Sequence, residues 1–392
     1  MTAKQKIPTS LSVEDPLVSR IDAVLERTLN DQRLVGAVVL VARDGQLIYR
    51  KAAGLADREA ERPMEVDALF RLSSVTKPIT SAAAMVLVAQ GRLELDAPVS
   101  RWLEEFQPTL ADGSPATITV RQLLSHTAGL GYGFLEAEGG GDYHRAGVCD
   151  GMESVNLTLD ENIQRLAKAP LLYEPGSAWG YSIATDVLGA LIARVCNSSL
   201  GEAIDTLVCA PLKLDDTRFQ VADKSRLTAA YLNDSPAPRR MQGVEVIQVF
   251  EHTAGIRMQA ERAFDDQAYH SGGSGMIGSA DDFLTLLEAL RTGDSALVPA
   301  RLCAEMAKVQ TAELELANWP GRGFGLGFTV LTDPAAAQTP ESPGTWRLGG
   351  AYGHSWFVDP AQKLSVVAFT NTAFEGMYGQ FTVDLCKAVY GA

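Results

Sequence analysis

The sequence predicts an α+β protein whose antiparallel sheet is assembled from both ends of the chain. Three observations carry this. Runs rich in β-branched residues occur near the start of the chain and again beyond residue 325, whereas 92–270 is dominated by helical spacing and Gly-rich loops. The 392 residues also exceed what one core commonly organises. The implied division is 1–91 with 271–392 as a sheet domain flanked by helices, and 92–270 as a mainly helical insertion with long loops. A functional cleft is expected between them.

Each element has its own local warrant. In 15–31, Leu17, Ile21, Val24 and Leu25 fall at helical spacing after Asp15-Pro16. Val35–Ala42 is a continuous apolar run, Arg43-Asp44-Gly45 is a hairpin turn, and Leu47–Tyr49 begins the return strand. The apolar segment 75–90 reads as a buried helix closed by Gly91. Helical patterns follow at 120–124, 159–167 and 185–195. The polar stretch 222–262, with Pro236 and Pro238, shows no periodicity. A Gly-rich segment from 272 opens a helix over 281–290. Strands are expected at 325–331, 355–359 and 364–370, and a last helix at 381–390.

Composition excludes several classes. Hydrophobic residues at 46% and charged residues at 21% are those of a globular protein, not a disordered or fibrous one. A net charge of -14 repels a phosphate backbone, so no nucleic-acid partner is expected. No apolar run reaches the roughly 20 residues of a membrane span. Met1–Ser10 is polar, with Lys4 and Lys6 and no apolar stretch after it, which predicts a cytoplasmic protein. Five cysteines without paired spacing point to reduced thiols, and five scattered histidines give no metal site. No cofactor is expected, and the oligomeric state is not legible.

Three motifs could carry chemistry. Lys77 is the one lysine of ten with a serine three residues before it, in Ser74-Val75-Thr76-Lys77. On a helix those two positions share a face, and the helix N-terminus favours negative charge developing on the serine oxygen. Tyr181 follows the turn Pro175-Gly176 and starts a helix near Asp186. A phenol beside a lysine ammonium can act as a base. In Leu348-Gly349-Gly350-Ala351-Tyr352-Gly353-His354, paired glycines let a ligand approach the backbone closely.

Rival readings fail on context. No GxSxG occurs, and Cys149, in Gly147-Val148-Cys149-Asp150-Gly151, follows a loop where a nucleophile elbow needs a strand. Tyr231-Leu232-Asn233 lacks a turn-to-helix setting. His126 reads as a structural residue satisfying a turn.

Taken together, Leu72–Pro78, Leu93–Val99, Leu123–Leu130 and Gly353–Asp359 resemble the serine β-lactamase and penicillin-binding protein superfamily, and within it the class C-related family VIII carboxylesterases. The resemblance runs over nearly the whole chain. It implies a β-lactamase-like fold and a small-molecule ester substrate. It implies Ser74 as the acyl-accepting nucleophile, Lys77 and Tyr181 as a coupled base, and the N–H groups of Ser74 and Ala351 as the oxyanion hole. Tyr132, Leu348, Gly349 and Gly350 are expected to line the substrate site. The chain departs from the lactamase pattern at Ile183, where an Asn is usual, and at Leu348, where lactam-handling relatives usually carry Lys or His and the esterases often Trp.

Overall fold

A computed structural model describes residues 15–293 and 297–392; the polar stretch Met1–Ser10 lies outside the described residues. Helix α1 (Pro16–Asn30) starts where sequence chemistry starts it: Asp15 accepts from the Leu17 N–H at 2.9 Å, and Pro16 needs no donor there. Strands β1 (Gly36–Arg43) and β2 (Gln46–Asp57) form the predicted hairpin. Asp44 and Gly45 both adopt positive φ, 51° and 76°, as a tight right-twisted hairpin requires.

The main sheet continues with β3 (Arg62–Pro63), β4 (Arg322–Phe324), β5 (Thr329–Leu331), β6 (Trp346–Gly350), β7 (His354–Asp359) and β8 (Leu364–Thr370). Its order is β4-β5-β6-β7-β8-β1-β2-β3, antiparallel at every pair. The N-terminal β1 pairs with the C-terminal β8, Val39 opposite Ala368, so the two chain ends meet at the sheet's centre.

Strand β1 is buried up to its last residue because both faces are covered. Ala37, Val39 and Val41 pack against α1 and α5 (Gln380–Tyr390). Val38, Leu40 and Ala42 join a larger core with α2 (Thr76–Ala89), α3 (Ala184–Cys196) and α4 (Ala280–Thr292). The period-2 alternation of a strand sorts its residues between the two layers. That larger core runs without a break from the sheet into the helical middle of the chain. Among the described residues no single helix is long and apolar enough to cross a membrane.

Two expectations need correction. The run 325–331 is not one strand: Gly325–Phe328 turn between β4 and β5, with Gly327 at φ 108°. The apolar pattern continues because the turn is itself buried against α2, where a Cβ on Gly327 would lie 2.3 Å from Ser81 Oγ. The stretch 222–262 is ordered into two short strand pairs, 231–232 with 239–240 and 244–247 with 256–259. Segments of two to four residues are too short to show periodicity.

Candidate active site

The site begins at a strained turn. Ser73–Val75 form a single 3-10 turn ahead of α2, and Ser73 takes φ +43°, a conformation rarely held by a residue with a side chain. Two long-range bonds hold it there. Leu72 N–H donates to the Met276 carbonyl at 2.8 Å, and Ser73 Oγ accepts from the Tyr352 N–H at 3.3 Å. The next residue, Ser74, is left partly exposed at the mouth of a buried helix.

Lys77 lies one turn further on and is 1% exposed. Its Nζ donates to Ser74 Oγ at 3.2 Å and to the Gly273 carbonyl at 2.9 Å. The Tyr181 hydroxyl donates to the same Ser74 Oγ at 2.7 Å. Lys77 Nζ also sits 4.7 Å from the centre of the Tyr181 ring. The structure thus brings the three sequence-predicted groups onto one oxygen. An oxygen that accepts two donors is solvated as an alkoxide would be. Either donor, once deprotonated, can instead take the serine proton.

Tyr181 is set by its neighbours. His126, itself at φ +57°, stacks on its ring at 5.1 Å, and His126 Nδ1 bonds both the Ser182 hydroxyl at 3.0 Å and the Ser182 N–H at 3.1 Å. Burial, with the Lys77 charge nearby, holds the imidazole well below its ordinary range, so it is neutral. His126 is therefore a structural residue, as expected, and the residue it orders is Tyr181.

Ala351 follows the end of β6 and its carbonyl accepts from the Phe374 N–H at 3.3 Å. The neighbouring glycines have packing reasons. A Cβ on Gly349 would lie 2.3 Å from Met377, and one on Gly350 2.7 Å from the Leu72 carbonyl and 2.8 Å from Ser73 Oγ. Gly350 thus lets β6 press against the Ser73–Val75 turn. Leu348 is 7% exposed and packs in the main core, presenting no donor. Tyr132 is buried 5.4 Å from Lys77 Nζ, ring centre to nitrogen, and 5.5 Å from the Tyr181 ring.

The rival nucleophiles lie elsewhere. Cys149 is buried, and burial pushes its thiol up to about 11, the opposite of an activated cysteine. The Tyr231 hydroxyl donates to Glu59 at 2.6 Å.

A strained serine turn at a helix mouth, with a lysine and a tyrosine on one oxygen, fits the β-lactamase family model, which matches residues 21–385. The chain belongs to the β-lactamase family. Esterase EstB of Burkholderia gladioli is 50% identical over 392 residues, 100% of each chain. EstCE1, described as a hydrolase with promiscuous acyltransferase activity, matches with a TM-score of 0.92 at 44% identity, over 96% of this chain and 99% of its own. Monacolin J acid methylbutanoyltransferase of Aspergillus terreus is 26% identical over 390 residues, 91% of this chain and 90% of its own.

This β-lactamase-family site also holds groups that sequence reasoning passed over. Trp319 stands 5.9 Å from Tyr181 and 5.2 Å from Trp179, ring to ring, forming an aromatic wall beside Tyr181. Gly273 supplies the carbonyl that holds Lys77. Its signal, the run Ser271-Gly-Gly-Ser-Gly275, was visible but reads as a helix opener.

Proposed function

We propose that the protein is a serine hydrolase of carboxylic esters working through an acyl-Ser74 intermediate. Ser74 Oγ attacks the ester carbonyl, and its proton passes to the Lys77–Tyr181 pair. The N–H groups of Ser74 and Ala351 hold the oxyanion, an arrangement worth a few kcal/mol in comparable enzymes. As the tetrahedral species collapses, the C–O bond to the alcohol breaks and the pair returns the proton to the leaving oxygen. Water then attacks the acyl-enzyme by the same route in reverse.

The convergence of Lys77 and Tyr181 on Ser74 Oγ, at 3.2 and 2.7 Å, carries this reading. The likeness to Esterase EstB over the full chain supports esters as the substrate. Position 348 offers a substrate carboxylate no partner, because Leu348 packs in the core and carries no donor; a missing charge-assisted bond costs about 1.5–3 kcal/mol, which favours small neutral esters.

After exposure to p-nitrophenyl acetate, intact-mass measurement should find one added acetyl group, mapped to Ser74. Ser74→Ala should lose the adduct and nearly all turnover while remaining folded. Turnover lost in Cys149→Ser but retained in Ser74→Ala would defeat the assignment.

A second reading is acyl transfer to an alcohol on the same scaffold. The acyltransferase activity named for EstCE1 favours it. It predicts that added alcohol diverts most of the acyl-enzyme to a new ester, where a pure hydrolase yields free acid.

A further inference from the structure

Behind Lys77 lies a carboxylate for which the acylation steps above have no use. Asp186, in the first turn of α3, is 0% exposed, and neither of its oxygens has a hydrogen-bond partner of good geometry. A buried carboxylate so weakly hydrogen-bonded, with only Ser271 and the Gly273 backbone beside it, is costly and rarely kept without a role. Its position suggests one. The point where a Cβ on Gly273 would stand is 2.7 Å from Asp186 Oδ2, 3.2 Å from the Tyr132 hydroxyl and 3.5 Å from Lys77 Nζ. Because residue 273 is glycine, these three groups converge on one spot, and its carbonyl binds the amine at 2.9 Å.

We propose that Asp186 is a positioning residue for acylation: its buried negative charge, delivered beside Gly273, holds the proton on the Lys77–Tyr181 pair and so sets the pH at which the pair can accept the serine proton. This rests on the esterase reading. The effect is Coulombic, and the two distances from that point put Asp186 Oδ2 within about 6 Å of Lys77 Nζ, both groups being buried.

Other groups face Asp186 from every side. Lys77 comes from α2, and Tyr132 and Asp150 from the ends of the stretch 132–150. Arg262 and Tyr269 come from the segment leading to Gly273. Burial pushes the Asp186 carboxyl up to about 6, against the pull of Ser271, Lys77 and Arg262, so it is an anion above neutral pH. Arg262 is engaged by the Tyr269 and Gly275 carbonyls.

The sign follows directly. Removing the anion releases the pair's proton more readily, whichever member carries it. Asp186→Asn keeps the shape and removes the charge. With p-nitrophenyl acetate, the acid limb of its kcat/KM profile should move to lower pH by about one to two units. Asp186→Glu, which restores the charge, should bring the limb back toward wild type. A merely structural role would lower stability or turnover and leave the limb in place.

A limb that stays put, or moves to higher pH, in a folded Asp186→Asn variant overturns the proposal. Asp186→Ser gives the same reading should the Asn variant not fold. Failure of both to fold would assign Asp186 to stability instead. Ser74→Ala, assayed alongside, separates the cases. If it retains turnover, the esterase reading falls. If it is dead and the limb is unmoved, this inference alone falls.

Discussion

Ser74 owes its chemistry to residues that hold it from three directions: Ser73 by backbone strain, Lys77 from the next helical turn and Tyr181 from the segment ahead of α3. The two donors share one acceptor, so neither has an independent job. Lys77→Ala and Tyr181→Phe should each cost at least about 10³-fold in kcat, and the double variant little more than the worse single. A double loss equal to the product of the singles would show that the two act separately. Much of this site was legible in advance, because serine, lysine and the turn before Tyr181 lie in short local motifs. Asp186 and Gly273 were not legible as site residues. Their meaning depends on Tyr132 and Lys77, which reach the same spot from distant parts of the chain.

At the scale of elements, helix α2 is the anchor. The 3-10 turn at its mouth carries Ser74 and its own first turn Lys77, Thr80 donates to the Gly272 carbonyl at 2.8 Å, and the β4–β5 turn seats on Ser81. Gly327 combines φ 108° with that close approach. Gly327→Ala adds both strain and overpacking, so it should destabilise the fold by about 2–4 kcal/mol, read as a lower urea midpoint. A change below about 0.5 kcal/mol would mean that the turn yields freely. The long elements, α1, β1, β2, α2, β8 and α5, were readable because caps, turn chemistry and apolar runs agreed. The β4–β5 turn was not, because its apolar residues answer to burial rather than to strand periodicity.

At the scale of the whole molecule, buried titratable groups oppose one another. Burial holds His354 down at about 4 and His126 well below 6.5, and lowers His270 too. Such groups take up protons on unfolding, so they remove stability as the pH falls through 6.5. Asp150 and Asp186, pushed up by burial to about 6, bind protons earlier when folded and add stability over the same range. Three against two leaves a gentle net fall from pH 6.5 to about 4.5. Below that, the depressed carboxylates take over. Despite the upward push of burial, Arg347 and Arg322 hold the Glu341 carboxyl below its ordinary range, and its share of stability is lost as it protonates. Urea midpoints should decline slowly to pH 4.5 and steeply beneath it. A midpoint that rises over 6.5–4.5 would mean that the aspartates outweigh the histidines.

The meeting of the two chain ends in one sheet has a consequence during synthesis. The bond from Tyr352 to Ser73 closes a loop of 279 positions. A ribosome adding roughly 5–20 residues per second needs on the order of 15–55 seconds to travel that far. Until then the serine and lysine exist, but the segment after β6 that pins their turn does not. β1 is also without its partner β8 and shows an open edge, the very feature that invites pairing with another nascent chain. A messenger truncated before β6 would therefore yield an inert and sticky polypeptide rather than a weak enzyme. Catalytic competence in this molecule arrives at the end of translation, all at once.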